Sequence, residues 1–145
     1  MTVLRLEHLG IVVDDLADAI EFFVALGLER QGEMTVEGRA VDRIVGLEGV
    51  RSDVAFLQTP DGHGRLELIQ FRAPAGPPGD PHAPANTPGL RHVLFAVDDI
   101  DATVARLQAR GSELVGEVVA YGGSYRLCYI RGPAGIIVEL AEKIG

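Results

Sequence analysis

Leu6-Glu7-His8-Leu9-Gly10-Ile11-Val12-Val13-Asp14-Asp15 returns as Leu90-Arg91-His92-Val93-Leu94-Phe95-Ala96-Val97-Asp98-Asp99, at an offset of 84 residues. The offset holds onward through Gly27/Gly111, Glu29/Glu113, Gly32/Gly116 and Glu33/Glu117. Both copies also close alike, on Arg65-Leu66-Glu67-Leu68 and Ile137-Val138-Glu139-Leu140. An internal repeat decides the fold, because each copy must be one supersecondary unit. Each half therefore opens with a His and ends with a Glu, both on strand-like segments. Two imidazoles and two carboxylates placed by duplication are what a divalent-metal site requires.

The local patterns predict the same module twice. Val3–Val13 reads as a strand rich in Leu, Ile and Val. Asp14 or Asp15 can accept hydrogen bonds from free N–H groups and cap a helix over about 15–26. Leu16, Ile20, Phe23 and Leu26 give it an apolar stripe at the helical period, and Gly27 supplies the stop. Asp98/Asp99, Ile100, Val104, Leu107 and Gly111 repeat the pattern. Strand-like segments follow around 29–36, 40–47, 53–59 and 65–71, and then around 113–120, 124–131 and 135–141. Pro60-Asp61-Gly62 and Gly132-Pro133-Ala134-Gly135 read as the turns before the last strands. Between the halves, Ala73–Gly89 is dense in Pro and Gly and reads as a linker. The expectation is an α+β domain of two βαβββ modules, about 1–72 and 89–145, joined by 73–88.

Bulk properties bound the function. The chain has 145 residues, 47% of them hydrophobic, and a net charge of −8. Its length suits one domain with a real core. The acidic balance argues against nucleic acid, which needs a basic footprint, and against anionic membrane surfaces. No apolar run is long enough to span a membrane. No basic segment followed by a long apolar run marks a secretory signal, so a cytoplasmic location is expected. The single cysteine, Cys128, excludes an internal disulfide framework and reads as a small buried hydrophobe.

Strand parity sharpens the metal reading. His8 shares a face with Leu6, Gly10 and Val12, and His92 with Leu90, Leu94 and Ala96. Glu139 lies in an apolar strand, and Glu67 has Leu66, Leu68 and Ile69 around it. A carboxylate in such surroundings loses water at a cost of several kcal/mol unless it is paired. One divalent cation would satisfy all four side chains at once.

With these residues in view, the chain resembles the vicinal oxygen chelate superfamily. That group takes in glyoxalase I, methylmalonyl-CoA epimerase, fosfomycin- and bleomycin-resistance proteins and extradiol dioxygenases. The resemblance rests on His8-Leu9-Gly10-Ile11-Val12-Val13-Asp14-Asp15, on Phe22-Phe23 before Leu26-Gly27-Leu28, on His92 before Asp98-Asp99-Ile100, and on Gly132-Pro133 and Glu139. It implies paired modules curled into a cup-shaped, barrel-like mixed sheet with the helices outside. It also implies one divalent metal ion (nickel, zinc, cobalt or manganese) held by His8, Glu67, His92 and Glu139. The epimerases carry Gln at the Glu67 position, and fosfomycin-resistance proteins lack a carboxylate there. Dioxygenases are usually longer and use two His and one carboxylate.

The implied activity is that of a metal-dependent isomerase or lyase. Its small-molecule substrate would be chelated through two adjacent oxygens and pass through an enediolate or enolate, with Glu139 or Glu67 as base. The alternatives are a non-catalytic small-molecule or antibiotic-binding protein of the same fold, or a dioxygenase. Substrate-binding candidates are Arg39, Arg43, Tyr121, Tyr125 and Arg126. His63, in a turn, and His82, in the linker, read as incidental. Relatives of this length are commonly homodimers, and a homodimer is expected here.

Overall fold

The computed structural model describes all residues from Met1 to Gly145 and divides into two units, Met1–Pro78 and Gly79–Gly145. Each unit is a four-stranded mixed sheet with a helix on one face. In the first the elements run β1 (Leu9–Val12), α1 (Leu16–Leu26), β2 (Glu29–Glu37), α2 (Arg39–Val45), β3 (Arg51–Gln58) and β4 (Arg65–Ala73). In the second they run β5 (His92–Val97), α3 (Ile100–Ala109), β6 (Val119–Tyr121), β7 (Tyr125–Arg131) and β8 (Ile137–Lys143), with a 3₁₀ turn at Pro133–Gly135. The sheet orders are β1-β4-β3-β2 and β5-β8-β7-β6. In both, the first strand lies parallel to the last and the remaining pairs are antiparallel. The second unit is the predicted βαβββ module, and the first is the same module with α2 inserted.

Alternation along the last strand assigns the faces. On β4, Leu66 and Leu68 are buried and lie with Ala19, Ile20, Phe23 and Leu57 in the first core. On β8, Val138 and Leu140 are buried with Ile100, Leu107 and Ile130 in the second. Fully burying each such side chain is worth about 1.5–3 kcal/mol. Glu67 and Glu139 fall on the opposite, open faces, because strand neighbours alternate.

Both helices start and stop by one duplicated device. Asp15 Oδ1 accepts from Asp18 N at 3.0 Å, and Asp99 Oδ1 accepts from Ala102 N at 2.9 Å. A side chain from the last strand takes a further free N–H. Leu16 N donates to Gln70 Oε1 at 2.9 Å, and Ile100 N donates to Glu142 Oε1 at 2.7 Å. At the far ends Leu28 N returns to Phe23 O and Ser112 N to Leu107 O. Gly27 and Gly111 there take positive φ, which a side chain would oppose.

Three predicted segments differ. The strand expected over Val3–Val13 covers only Leu9–Val12. β4 begins at Arg65 and the register sets Leu9 opposite Leu66, so residues before His8 run past the end of β4. The segment 40–47, expected as a strand, is the helix α2. Gly38 and a left-handed Gly46 bracket it, and Asp42 accepts from Gly49 N and Val50 N to turn the chain into β3. None of its residues is buried, so no sheet face rewarded its β-branched side chains. The segment 113–120 pairs at Leu114, by a single bridge to Ile130, before β6 starts at Val119.

Candidate metal centre

Each module brings its His and its Glu together by the same register. Gly10 pairs with Glu67 and Leu94 pairs with Glu139, so each His stands two residues before the strand partner of its Glu. His8 directly precedes β1, and His92 is the first residue of β5. The imidazole Nε2 atoms reach the carboxylates at 3.9 Å for His8–Glu67 and 3.2 Å for His92–Glu139. The Glu side chains are largely covered, at 24% and 15% exposure, while the His rings are more open.

An aromatic residue on the third strand flanks each pair. Phe56 pairs with Glu67 across β3–β4, and Tyr129 pairs with Glu139 across β7–β8. The His8 ring meets Phe56 edge-on, with centroids 6.1 Å apart. The Tyr129 hydroxyl lies 3.4 Å from His92 Nδ1, which leaves Nε2 turned to Glu139. A partner on the second ring nitrogen fixes the imidazole's orientation, as ligating His residues need. Tyr129 went unnoticed in the sequence. Its signal is its place opposite Glu139, which only the register reveals.

The donor chemistry fits a cation of intermediate hardness: imidazole nitrogen and carboxylate oxygen, with no thiolate. Cys128 lies on the helix-covered face and is buried. Burial pushes its thiol up from the ordinary value. Within a single module only two donors meet, one His and one Glu. Each module therefore carries half of the predicted four-ligand set, His8 with Glu67 and His92 with Glu139.

The other candidates are placed less centrally. Arg39 and Arg43 lie on exposed α2, which packs beside β2, the strand farthest from β1 in its sheet. Arg126 alternates onto the helix side of β7, opposite Tyr129. There it donates to Asp101 through Nη1 at 2.7 Å and Nη2 at 2.9 Å. That fork raises the guanidinium's pKa and holds the Asp101 carboxyl below its usual range. Tyr121 and Tyr125 face each other at the end of the β6–β7 hairpin. Gly122 and Gly123, both at positive φ, make its turn. Tyr125 shares a strand face with Tyr129 but stands about 13 Å further along. His82 is exposed in the linker, and its backbone N donates to Asp80.

Comparison with known proteins agrees with this architecture. The chain belongs to the glyoxalase/bleomycin resistance protein/dioxygenase superfamily, whose family model matches residues 7–129. It is 30% identical over 140 residues to the Escherichia coli (strain K12) protein YaeR, covering 96% of each chain. A glyoxalase family protein from Bacillus cereus superposes with a TM-score of 0.95 at 46% identity, covering 100% of this chain and 97% of that one. TnmS3, an antibiotic binding protein from Streptomyces sp. CB03234, shares the fold at 20% identity and a TM-score of 0.60, with 99% of both chains covered. No helix is long and apolar enough to cross a membrane.

Proposed function

We propose that the protein is a divalent-metal-dependent isomerase or lyase of the glyoxalase I or epimerase kind. In this reading His8, Glu67, His92 and Glu139 hold one nickel, zinc, cobalt or manganese ion. The observation that carries it is the repeated register: two His–Glu pairs, each on the open face of its sheet and each offset by the same two residues. Two largely covered carboxylates at equivalent positions, each beside an imidazole, have no structural need of each other, and a shared cation would offset the desolvation of both.

A cation bound there supplies Lewis-acid stabilisation of charge developing on two adjacent substrate oxygens. The residues supply the rest. His92 is held by Tyr129 through Nδ1, so its Nε2 keeps one direction. Glu139, the more enclosed carboxylate, takes the proton alpha to the substrate carbonyl on a carboxylate oxygen and returns it to the neighbouring carbon. Glu67 serves the same step for a substrate presenting its hydrogen from the opposite side. The exposed Val12 and Leu94, on the same strand faces as the pairs, offer apolar contact to a substrate. The protein works as a homodimer in the cytoplasm.

Glu139→Gln separates binding from chemistry. The amide oxygen still reaches a cation, but the side chain cannot accept a proton. Turnover of a hemithioacetal or a CoA thioester falls by about 10²–10⁴, the contribution of general-base catalysis, while metal affinity falls much less. Undiminished turnover would move the base to Glu67. A wild-type protein that binds metal yet turns over neither substrate class favours a small-molecule-binding role for the same fold.

A further inference from the structure

A cavity of about 480 Å³ opens in the first module among Arg5, Glu7, Gln31, Gln58, His63 and Arg65. Two guanidiniums, an imidazole and two carboxamides converge there, in a chain whose net charge is −8. The register explains how Gln31 reaches it. β2–β3 pairing skips from Arg30↔Leu57 to Gly32↔Phe56, which leaves Gln31 as the extra residue of a bulge. Bulges re-aim side chains in this way, often beside functional sites. His63 sits at the tip of the β3–β4 turn, which Asp61 holds by accepting from His63 N at 3.0 Å.

The cavity adjoins one metal half-site. Arg65 and Glu67 share a face of β4, about 7 Å apart along the strand. The Arg65 guanidinium carbon lies 4.3 Å from the centroid of the Phe56 ring, whose other neighbour is His8. One carboxylate already occupies the two guanidiniums. Glu7 Oε2 accepts from Arg5 Nε at 3.2 Å and Nη2 at 3.0 Å, and Glu7 Oε1 accepts from Arg65 Nη1 at 3.1 Å. Glu7 is half exposed, so its carboxylate can swing into water without a desolvation penalty.

We propose that this cavity binds the oxyanion end, carboxylate or phosphate, of the substrate whose reacting oxygens lie at His8 and Glu67, and that Glu7 holds the place until the ligand displaces it. Planar guanidiniums suit such a group because they donate in pairs to its oxygens. Gln31 and His63 add further hydrogen-bonding groups to its lining. The position of the reacting end rests on the function proposed above. The oxyanion site itself does not, since every residue in it belongs to the first module.

The test uses metal-free ¹⁵N-labelled protein at low salt, titrated with inorganic phosphate and separately with succinate. Amide shifts should concentrate at Gln31, His63 and Arg65. Calorimetry should show affinity falling at least tenfold in Arg5→Gln and in Arg65→Gln, the loss of one charge-assisted contact. Glu7→Gln removes the internal competitor and should tighten binding several-fold. Arg72→Gln, whose guanidinium pairs with Asp53 elsewhere on β4, should change nothing. Arg5 lies outside every strand, so its variant tests the site without burdening the fold. The tighter of the two anions identifies the ligand's end group. No shifts at these residues, or unchanged affinity in both arginine variants, overturns the proposal. A parallel zinc titration keeps the two ideas apart: anion binding without zinc binding sinks the metal reading and leaves this site standing, and zinc binding without anion binding does the reverse.

Discussion

Removing the Glu142 side chain should unfasten the start of α3, and its cost can be worked from the contacts. Glu142 Oε1 accepts from Ile100 N at 2.7 Å in a part-buried position. A hydrogen bond to a charged group contributes about 1.5–3 kcal/mol. A carboxylate at a helix N-terminus gains a further 0.3–1 kcal/mol or so from the macrodipole. Asp99 still caps the helix through Ala102 N, so the loss in Glu142→Ala should sit near the low end, about 2 kcal/mol. Glu142→Gln keeps an acceptor and loses the charge, and should cost only about 0.5 kcal/mol. The first module already contains that variant, since Gln70 performs the task for Leu16 N. Urea unfolding reads the difference. At a slope of about 2 kcal/mol/M, Glu142→Ala should lower the midpoint by about 1 M and Glu142→Gln by about a quarter of that. An alanine variant within 0.5 kcal/mol of wild type would refute the reasoning, as would a glutamine variant as damaging as alanine.

Other consequences follow from the packing and the charges. Leu140→Ala, at a fully buried site, should cost about 2–5 kcal/mol in the same assay. Val24→Ala, on the exposed side of α1, should stay within about 0.5 kcal/mol. The Asp53 carboxyl, which accepts from Arg72 and Thr35, should titrate below 3.8 by NMR and move back up in Arg72→Gln. Because its pKa is depressed in the folded chain, its contribution to stability is present above the usual carboxylate range and is lost as pH falls through the folded value. Cys128 should resist a thiol reagent at pH 8 in the native protein and react at once in denaturant, since burial raises its pKa.

Much of this molecule could be read from its residues because duplication wrote it twice. The pairing of His8 with His92 and of Glu67 with Glu139 needed only the repeat. The helix caps are local chemistry and were visible to within a residue, as Asp14 or Asp15 and Asp98 or Asp99, of which the structure uses Asp15 and Asp99; the stops at Gly27 and Gly111 were visible as such. The misread segment, 40–47, falls where the repeat fails. The His residues lie 84 apart and the Glu residues 72 apart, so the second module is twelve residues shorter and offers no copy of α2 for comparison. Val41, Ile44 and Val45 are β-branched and so favour a strand, but their i, i+3, i+4 spacing is helical, and the flanking glycines and Asp42 act the same way. Gln70, Glu142 and Tyr129 act across 54, 42 and 37 residues. Nothing in their immediate neighbourhood signals those contacts. The same holds for Arg126, whose partner Asp101 depends on which face of β7 it occupies.

Whether the two His–Glu pairs share one metal ion, as proposed, is read from the stoichiometry of metal binding. Zinc or nickel titrated calorimetrically into metal-free protein should bind at one ion per chain. His8→Ala and His92→Ala should each abolish that tight event while their unfolding midpoints without metal stay near wild type. In the wild type alone, saturating metal at about 100 times Kd should add about 2.7 kcal/mol of stability. Two ions per chain, with each variant losing only one, would show that the His–Glu pairs act separately and would contradict the four-ligand centre. Undiminished tight binding in both variants would contradict it outright.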